Sequence, residues 1–303
     1  MNFGLGTALT IASRVGALFL GLGTSIVLAR MLGPERKGIH SLAILLPSLI
    51  VAFTNLGIAP ATVHLVARRQ HALTQIAGST LIYAITVSVA SIILGLIVIL
   101  ALEEELFSGV ARLYLLLGLA VIPVTIVNSY FNSILLGLQQ LRKYNLVTII
   151  HECLTLVLVA TALWALRFGV SGAILALVVS GLLTDLILLL WVIRATGGIR
   201  LFSSREYVKA ASTYGIKAHI GNVLAFLNYR IDMFMVNSFL NPTAVGFYAI
   251  AVAMVERLWL VSQSAATVLF PRVSGESNEL RLKEFTPLVA RTVLLTALVG
   301  AVV

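Results

Sequence analysis

Charged residues are scarce in this chain, and cysteine is almost missing. Only 11% of its 303 residues are charged, against about 25% in an ordinary soluble domain, while 59% are hydrophobic and the mean hydropathy is +1.04. This composition excludes a water-soluble protein. The single cysteine, Cys153, lies within an apolar run and excludes both a disulfide framework and a thiolate metal site within the chain.

Long apolar runs take the place of charge, and they predict a bundle of transmembrane helices. A helix needs about 20 apolar residues to cross roughly 30 Å of hydrocarbon. We predict eight complete spans and a ninth that stops early, at residues 7–29, 39–59, 77–102, 110–136, 146–166, 171–193, 211–240, 246–270 and from 285 onward. The ninth run ends at Val303 without a polar flank, so we expect a truncated chain.

The basic residues indicate how the spans are oriented. Eleven Lys and Arg residues fall in the second, fourth, sixth and eighth loops, and five fall in or at the edges of the odd-numbered loops. Cytoplasmic loops retain positive charge during insertion, so we predict a cytoplasmic N-terminus. The same scatter argues that the net charge of +9 reflects topology and not a nucleic-acid partner.

Two turn sequences repeat each other. Residues 32–43 are L-G-P-E-R-K-G-I-H-S-L-A, and residues 240–251 are L-N-P-T-A-V-G-F-Y-A-I-A, which align without a gap at an offset of 208 residues. Six spans fit within this offset, so the second copy has the orientation of the first and the repeat is parallel. A chance match between two turns that join spans is the alternative, because Pro and Gly are favoured there.

This pattern predicts three segments. Residues 1–195 form an N-terminal lobe of six transmembrane helices, and residues 196–210 form a cytoplasmic amphipathic linker. Residues 211–303 begin a C-terminal lobe, with two complete helices and one truncated helix.

Four segments carry a family resemblance: L-A-R-M-L-G-P-E-R-K-G-I-H-S-L-A at 28–43, L-N-Y-R-I-D-M-F-M-V at 227–236, V-G-F-Y-A-I-A at 245–251 and L-F-P-R-V-S at 269–274. In these the chain resembles the polysaccharide biosynthesis, or O-antigen flippase, family of the multidrug, oligosaccharidyl-lipid and polysaccharide exporter superfamily. The resemblance implies an all-α polytopic membrane protein. Its two six-helix lobes would flank a central cavity open to one side at a time, with the second lobe incomplete here.

Ionisable residues at membrane depth cost at least a few kcal/mol unless they are paired or face water, so each is a functional candidate. For a substrate cavity we predict four cations: Arg14, Lys217, Arg230 and Arg257. For coupling or ion pairing we predict three carboxylates: Asp185, Asp232 and Glu256. The alternatives are a packing or snorkelling role for Arg14, a membrane-end anchor at Lys217, and a structural ion pair between Glu256 and Arg230.

These cations suit an anionic ligand, and the resemblance implies a polyprenyl-diphosphate-linked oligosaccharide. We expect a flippase of the bacterial inner membrane that serves cell-surface polysaccharide biosynthesis by alternating access. Its coupling would use H⁺, Na⁺ or the membrane potential. Membrane lipids and other polysaccharide-assembly proteins are further expected partners. We expect no cofactor, no metal, no enzymatic activity and no nucleic acid. A multidrug cation antiporter of the same superfamily, a membrane-embedded polymerase and an assembly subunit are the alternatives.

Overall fold

The computed structural model describes residues 3–68, 72–201 and 205–256, together with Pro287, Arg291 and Leu294. Throughout the described part of the chain, the regular elements are helices. They are α1 (Phe3–Thr54), α2 (Ile58–Arg68), α3 (Leu73–Leu106), α4 (Arg112–Leu119), α5 (Val121–Gly137), α6 (Leu141–Ala160, followed by a π-helical turn at Thr161–Ala165), α7 (Gly169–Thr196), α8 (Arg205–Phe239) and α9 (Pro242–Glu256). The predicted all-α fold is confirmed.

Five of the described helices or helix pairs are long and apolar enough to cross a membrane: Ala12–Thr54, Leu73–Leu106, Arg112–Gly137, Leu141–Ala165 and Gly169–Thr196. The first has 43 residues, or about 65 Å of helix, which is twice the thickness of the hydrocarbon layer. Gly33 interrupts it with φ 74° and ψ 172°, a backbone conformation that only glycine adopts readily. This helix therefore contains most of the first two predicted spans, up to Thr54, and the chain is a multi-pass membrane protein.

The second span was predicted as one continuous helix at 39–59. That prediction is wrong, because the helix is interrupted. Its helix ends at Thr54, the backbone takes positive φ at Leu56 (50°) and Gly57 (66°), and α2 then starts at Ile58. The side chains of neighbouring helices stabilise the interruption. The Tyr130 hydroxyl donates to the Asn55 carbonyl at 3.0 Å, and the hydroxyls of Ser91 and Thr54 are 2.7 Å apart.

The first helices pack through close contacts between small and branched residues. Along α1, the Cβ position of Gly16 would lie 3.2 Å from Ile149, and that of Gly23 would lie 3.5 Å from Leu156, both on α6. α6 in turn packs on α7, and α5 packs on α2, α3 and α7. The polar residues described below lie at the contact of α5, α6 and α7.

The chain divides into two compact units, Met1–Phe247 and Tyr248–Val303. The first contains α1 to α8 and the beginning of α9; in the second, the described residues are helical. α8 begins at Arg205, inside the predicted linker 196–210, and continues without interruption through the predicted seventh span. The division into lobes at 1–195 and 211–303 stays a prediction.

The two copies of the repeated turn lie against each other within the first unit. A Cβ atom added at Gly38 would lie 1.7 Å from the Pro242 carbonyl oxygen, and one added at Gly246 would lie 1.9 Å from the Pro34 carbonyl oxygen. Pro34 and Gly38 of the first turn correspond to Pro242 and Gly246 of the second. The contact is therefore reciprocal, and only glycine allows the two backbones to approach so closely.

Candidate functional site: a buried carboxyl and an adjoining cavity

Asp185 lies on α7 with only 8% of its surface exposed. Its Oδ1 atom accepts a hydrogen bond from Nδ2 of Asn128 on α5, at 3.0 Å. The two residues are 57 positions apart in sequence, so packing of α5 on α7 brings them together. The sequence predicted Asp185 as a coupling or ion-pair residue but did not predict its partner.

Hydroxyl and imidazole groups continue this polar cluster between α6 and α7. The Thr155 and Ser180 hydroxyls are 2.9 Å apart, and the Thr184 hydroxyl lies 3.5 Å from Nδ1 of His151. Thr184 also donates to the Ser180 carbonyl at 2.7 Å. Three transmembrane helices, α5, α6 and α7, thus exchange side-chain hydrogen bonds where they pack on one another.

The surroundings of Asp185 make a negative charge costly. Within the described residues, no Lys or Arg is in ion-pair contact with the Asp185 carboxyl. The ion pair between Arg112 and Glu103, at 2.6 Å, lies between the end of α3 and the start of α4. Burying an unpaired carboxylate costs several kcal/mol, roughly, unless a cation or further hydrogen bonds compensate it. The described part of the chain contains no cluster of three or more His, Cys, Asp or Glu suited to a metal ion.

A cavity of about 700 Å³ lies between α2, α5 and the start of α6. This volume is within the range of about 300–1,000 Å³ that is typical of small-molecule sites. Its polar lining consists of His64, Ser129, Asn132, Ser133 and Tyr144. Its apolar lining consists of Ala59, Pro60, Val63, Ala67 and Leu136. No Lys, Arg, Asp or Glu is among these ten residues.

Asn132 has an unsatisfied polar atom in this wall. Its Oδ1 atom is buried and accepts no hydrogen bond from the described residues. A buried acceptor without a donor costs about 1–3 kcal/mol. A molecule in the cavity would remove that cost only if the Asn132 amide turned toward it.

Polar positions connect the cavity with the Asp185 cluster. On α5, Asn132 lies one turn from Asn128, the partner of Asp185. On α6, Tyr144 lines the cavity, and His151 lies seven residues further along the same helical face. The site therefore extends along two helix faces from the cavity to the buried carboxyl.

The predicted cations of the first unit lie elsewhere. Arg14 is exposed on α1, and Arg230 is half-buried on α8. Lys217 lies on α8, but its side chain is outside the described part. Asp232 is half-buried, and its Oδ1 atom accepts from the Met233 amide at 2.7 Å. Arg14, Arg230 and Asp232 are not among the described residues that line the cavity. The role of all four residues in a substrate site stays a prediction.

Two predicted residues belong to the second unit. Glu256 is half-buried at the end of α9, and Arg257 lies outside the described residues. The pairing of Glu256 with Arg230 stays a prediction.

Sequence reasoning missed Asn128 and Asn132, although the sequence carried a signal for both. The segment N-S-Y-F-N-S at 128–133 places two Asn-Ser pairs four residues apart within an apolar span. Residues four apart share one helix face, and amides at membrane depth need partners. This repeat distinguishes α5 from an ordinary lipid-facing span.

Solved structures share the fold. They include a MATE protein in complex with Br-NRF (22% identity, TM-score 0.57, covering 86% of this chain and 61% of that one) and the MATE multidrug transporter DinF-BH in complex with R6G (18%, 0.66, 86% and 61%). A chain described as protein A is also similar (18%, 0.69, 95% and 69%). The present chain thus spans less than two thirds of the length of the two MATE proteins.

No curated protein is similar enough in sequence to match the chain. A family match nevertheless exists, to the family described as polysaccharide biosynthesis protein, and it covers residues 3–275. This match includes α1 to α9, the repeated turns and every predicted site residue. It confirms the resemblance recognised in the sequence, and the chain belongs to the polysaccharide biosynthesis protein family.

Proposed function

We propose that the protein is a flippase that moves a polyprenyl-diphosphate-linked oligosaccharide across the bacterial inner membrane, for cell-surface polysaccharide biosynthesis. Membership of the polysaccharide biosynthesis family supports the substrate, and the fold shared with MATE transporters supports alternating access. The observation that carries the proposal is the buried hydrogen bond between Asp185 and Asn128 within the transmembrane helices. We further propose that the N-terminus of the protein is cytoplasmic, because the basic residues are concentrated in the even-numbered loops.

Asp185 is the proposed coupling residue. A buried carboxyl with one amide partner exchanges a proton, or a sodium ion, more readily than one fixed by an Arg or Lys. Binding of the ion removes the cost of the charge and favours one arrangement of α5, α6 and α7. Release of the ion favours another, so the ion gradient drives the transition.

The proposed contacts to the diphosphate come from the predicted cations Arg14, Lys217, Arg230 and Arg257. Guanidinium groups bind phosphate oxygens in pairs, and a water-filled cleft allows the charged group to cross while the lipid tail stays in the bilayer. Asp232 and Glu256 are the proposed counter-charges that keep these cations oriented.

A multidrug cation antiporter is the second candidate, because the similar solved structures include a multidrug transporter with bound R6G. A pocket for organic cations is expected to contain carboxylates. The cavity between α2, α5 and α6 has none among its described lining residues, so this cavity does not support the antiporter.

The test is transport in proteoliposomes that contain the full-length protein. A fluorescent polyprenyl-diphosphate oligosaccharide and the dye R6G are supplied separately, with an imposed proton or sodium gradient. We expect gradient-driven movement of the lipid, at least tenfold slower in Asp185→Asn, and unchanged in Thr86→Val, which removes an exposed hydroxyl from α3. Transport of the dye without the lipid would replace the flippase by the antiporter.

A further inference from the structure

We propose that the cavity between α2, α5 and α6 binds an uncharged glycosyl group. The inference rests on the proposed function in one respect: the glycosyl group is taken to belong to the lipid-linked oligosaccharide. The residues that line the cavity were not among those predicted for a substrate site.

The polar lining matches the hydrogen bonding of sugar hydroxyls. Each hydroxyl both donates and accepts, and the side-chain amide of Asn132, the hydroxyl groups of Ser129 and Tyr144, and the imidazole of His64 offer both functions. The Oδ1 atom of Asn132 is buried and accepts no hydrogen bond from the described residues, and a turn of this side chain toward the cavity would let the oxygen accept from a sugar hydroxyl. The apolar lining suits the C–H faces of a pyranose ring.

The same lining disfavours the other two ligand classes. A diphosphate requires Lys, Arg or a metal ion, and an organic cation requires a carboxylate. The ten lining residues that the structure describes contain no charged side chain of these types. An uncharged, hydroxyl-rich group needs neither.

The position of the cavity is consistent with loading from the cytoplasm. Arg142 and Lys143 directly precede Tyr144 in the first turn of α6, at the end of the helix that the basic-residue distribution predicts to be cytoplasmic. A sugar in the cavity is also close to Asn128 and thus to the Asp185 hydrogen bond, one helical turn away on α5. The glycosyl group and the coupling residue therefore act on the same helix.

The test is saturation-transfer NMR on the full-length protein in nanodiscs, with methyl glycosides of chitobiose, maltose and lactose as uncharged probes. Tetraphenylphosphonium is the cationic probe, and inorganic pyrophosphate, followed by phosphorus line broadening, is the anionic probe. The variants are Asn132→Leu, which keeps the size but removes the amide, and Ala59→Phe, which fills the cavity from its apolar side. Thr86→Val is the control.

We expect at least one glycoside to receive saturation, with a signal reduced about fivefold or more in Asn132→Leu and in Ala59→Phe but retained in Thr86→Val. Size-exclusion profiles identify any variant that fails to fold, and either cavity variant suffices. Absence of signal from every glycoside, or equal signals in wild type and both variants, would overturn the proposal. So would a cation signal that both variants remove. The flippase proposal is unaffected by these outcomes, because lipid transport and its dependence on Asp185 are measured separately.

Discussion

The reciprocal contact of the repeated turns predicts that Gly38→Ala destabilises the protein. The added methyl carbon would lie 1.7 Å from the Pro242 carbonyl oxygen, whereas ordinary contacts begin at 3.4 Å, so the two backbones must separate by about 1.7 Å. Overpacking costs about 1–3 kcal/mol, and we expect the upper end because the obstacle is backbone. Alanine regains up to about 1 kcal/mol of helix propensity. The net loss is about 1–2 kcal/mol.

The assay is thermal unfolding of the purified protein in detergent. Unfolding is measured as the loss of the monodisperse fraction in size-exclusion chromatography. We expect Tm to fall by about 2–8 °C in Gly38→Ala. Gly246→Ala should behave alike, since its methyl would lie 1.9 Å from the Pro34 carbonyl oxygen. Gly221→Ala on α8 is the matched control. Outside its own stretch of helix, no described atom lies within 4 Å of its Cβ position, so its Tm should stay or rise.

The double variant tests the reciprocity itself. Separation of the two turns by the first methyl group makes room for the second, so the loss in Gly38→Ala/Gly246→Ala should be smaller than the sum of the single losses. Equal Tm values for Gly38→Ala and Gly221→Ala would refute the reasoning, and additive losses would refute the reciprocal contact.

Three further predictions each concern the polar contacts of one side chain and use the same thermal assay. Tyr130→Phe should lower the free energy of unfolding by about 1–2 kcal/mol, because it removes the donor to the Asn55 carbonyl in the helix interruption; an unchanged Tm would contradict that role. Asn237→Leu should cost about 1–3 kcal/mol, since the buried Asn237 amide donates to the carbonyls of Leu106 (3.1 Å) and Ser108 (3.3 Å); the exposed Thr161→Val serves as its control. Glu103→Gln should change stability by less than about 1 kcal/mol, because its partner Arg112 is 59% exposed; a larger loss would show that the pair is not a surface salt bridge.

The sequence predicts the helices well because the apolar runs are local signals. It also predicts the correspondence of the two turns, although not that Gly38 and Gly246 meet. The interruption after Thr54 escaped prediction, since the residues Asn55, Leu56 and Gly57 contain neither proline nor charge and lie in an apolar run.

The candidate site was predictable in part, for a related reason. Asp185 stands out as a carboxyl within an apolar run, whereas its partner Asn128 lies on another helix and is uncharged. Contacts between helices depend on tertiary packing, which periodicity within one helix does not specify. The cavity is a property of three packed helices, and only the spacing of the Asn-Ser pairs in α5 indicated it.

The interruption at Asn55–Gly57 divides the second membrane crossing into two helical segments. α2 has 11 residues, or about 16 Å, so it forms roughly half of the crossing. It is a separate helix from the one that ends at Thr54. Two residues with positive φ, Leu56 and Gly57, connect the two helices, and α1 packs on α6. Because α2 supplies Pro60 and His64 to the cavity wall, a tilt of this one short helix changes the width of the cavity. The width of the pocket thus depends on how this short helix packs on α5 and α8, two of the helices that it contacts.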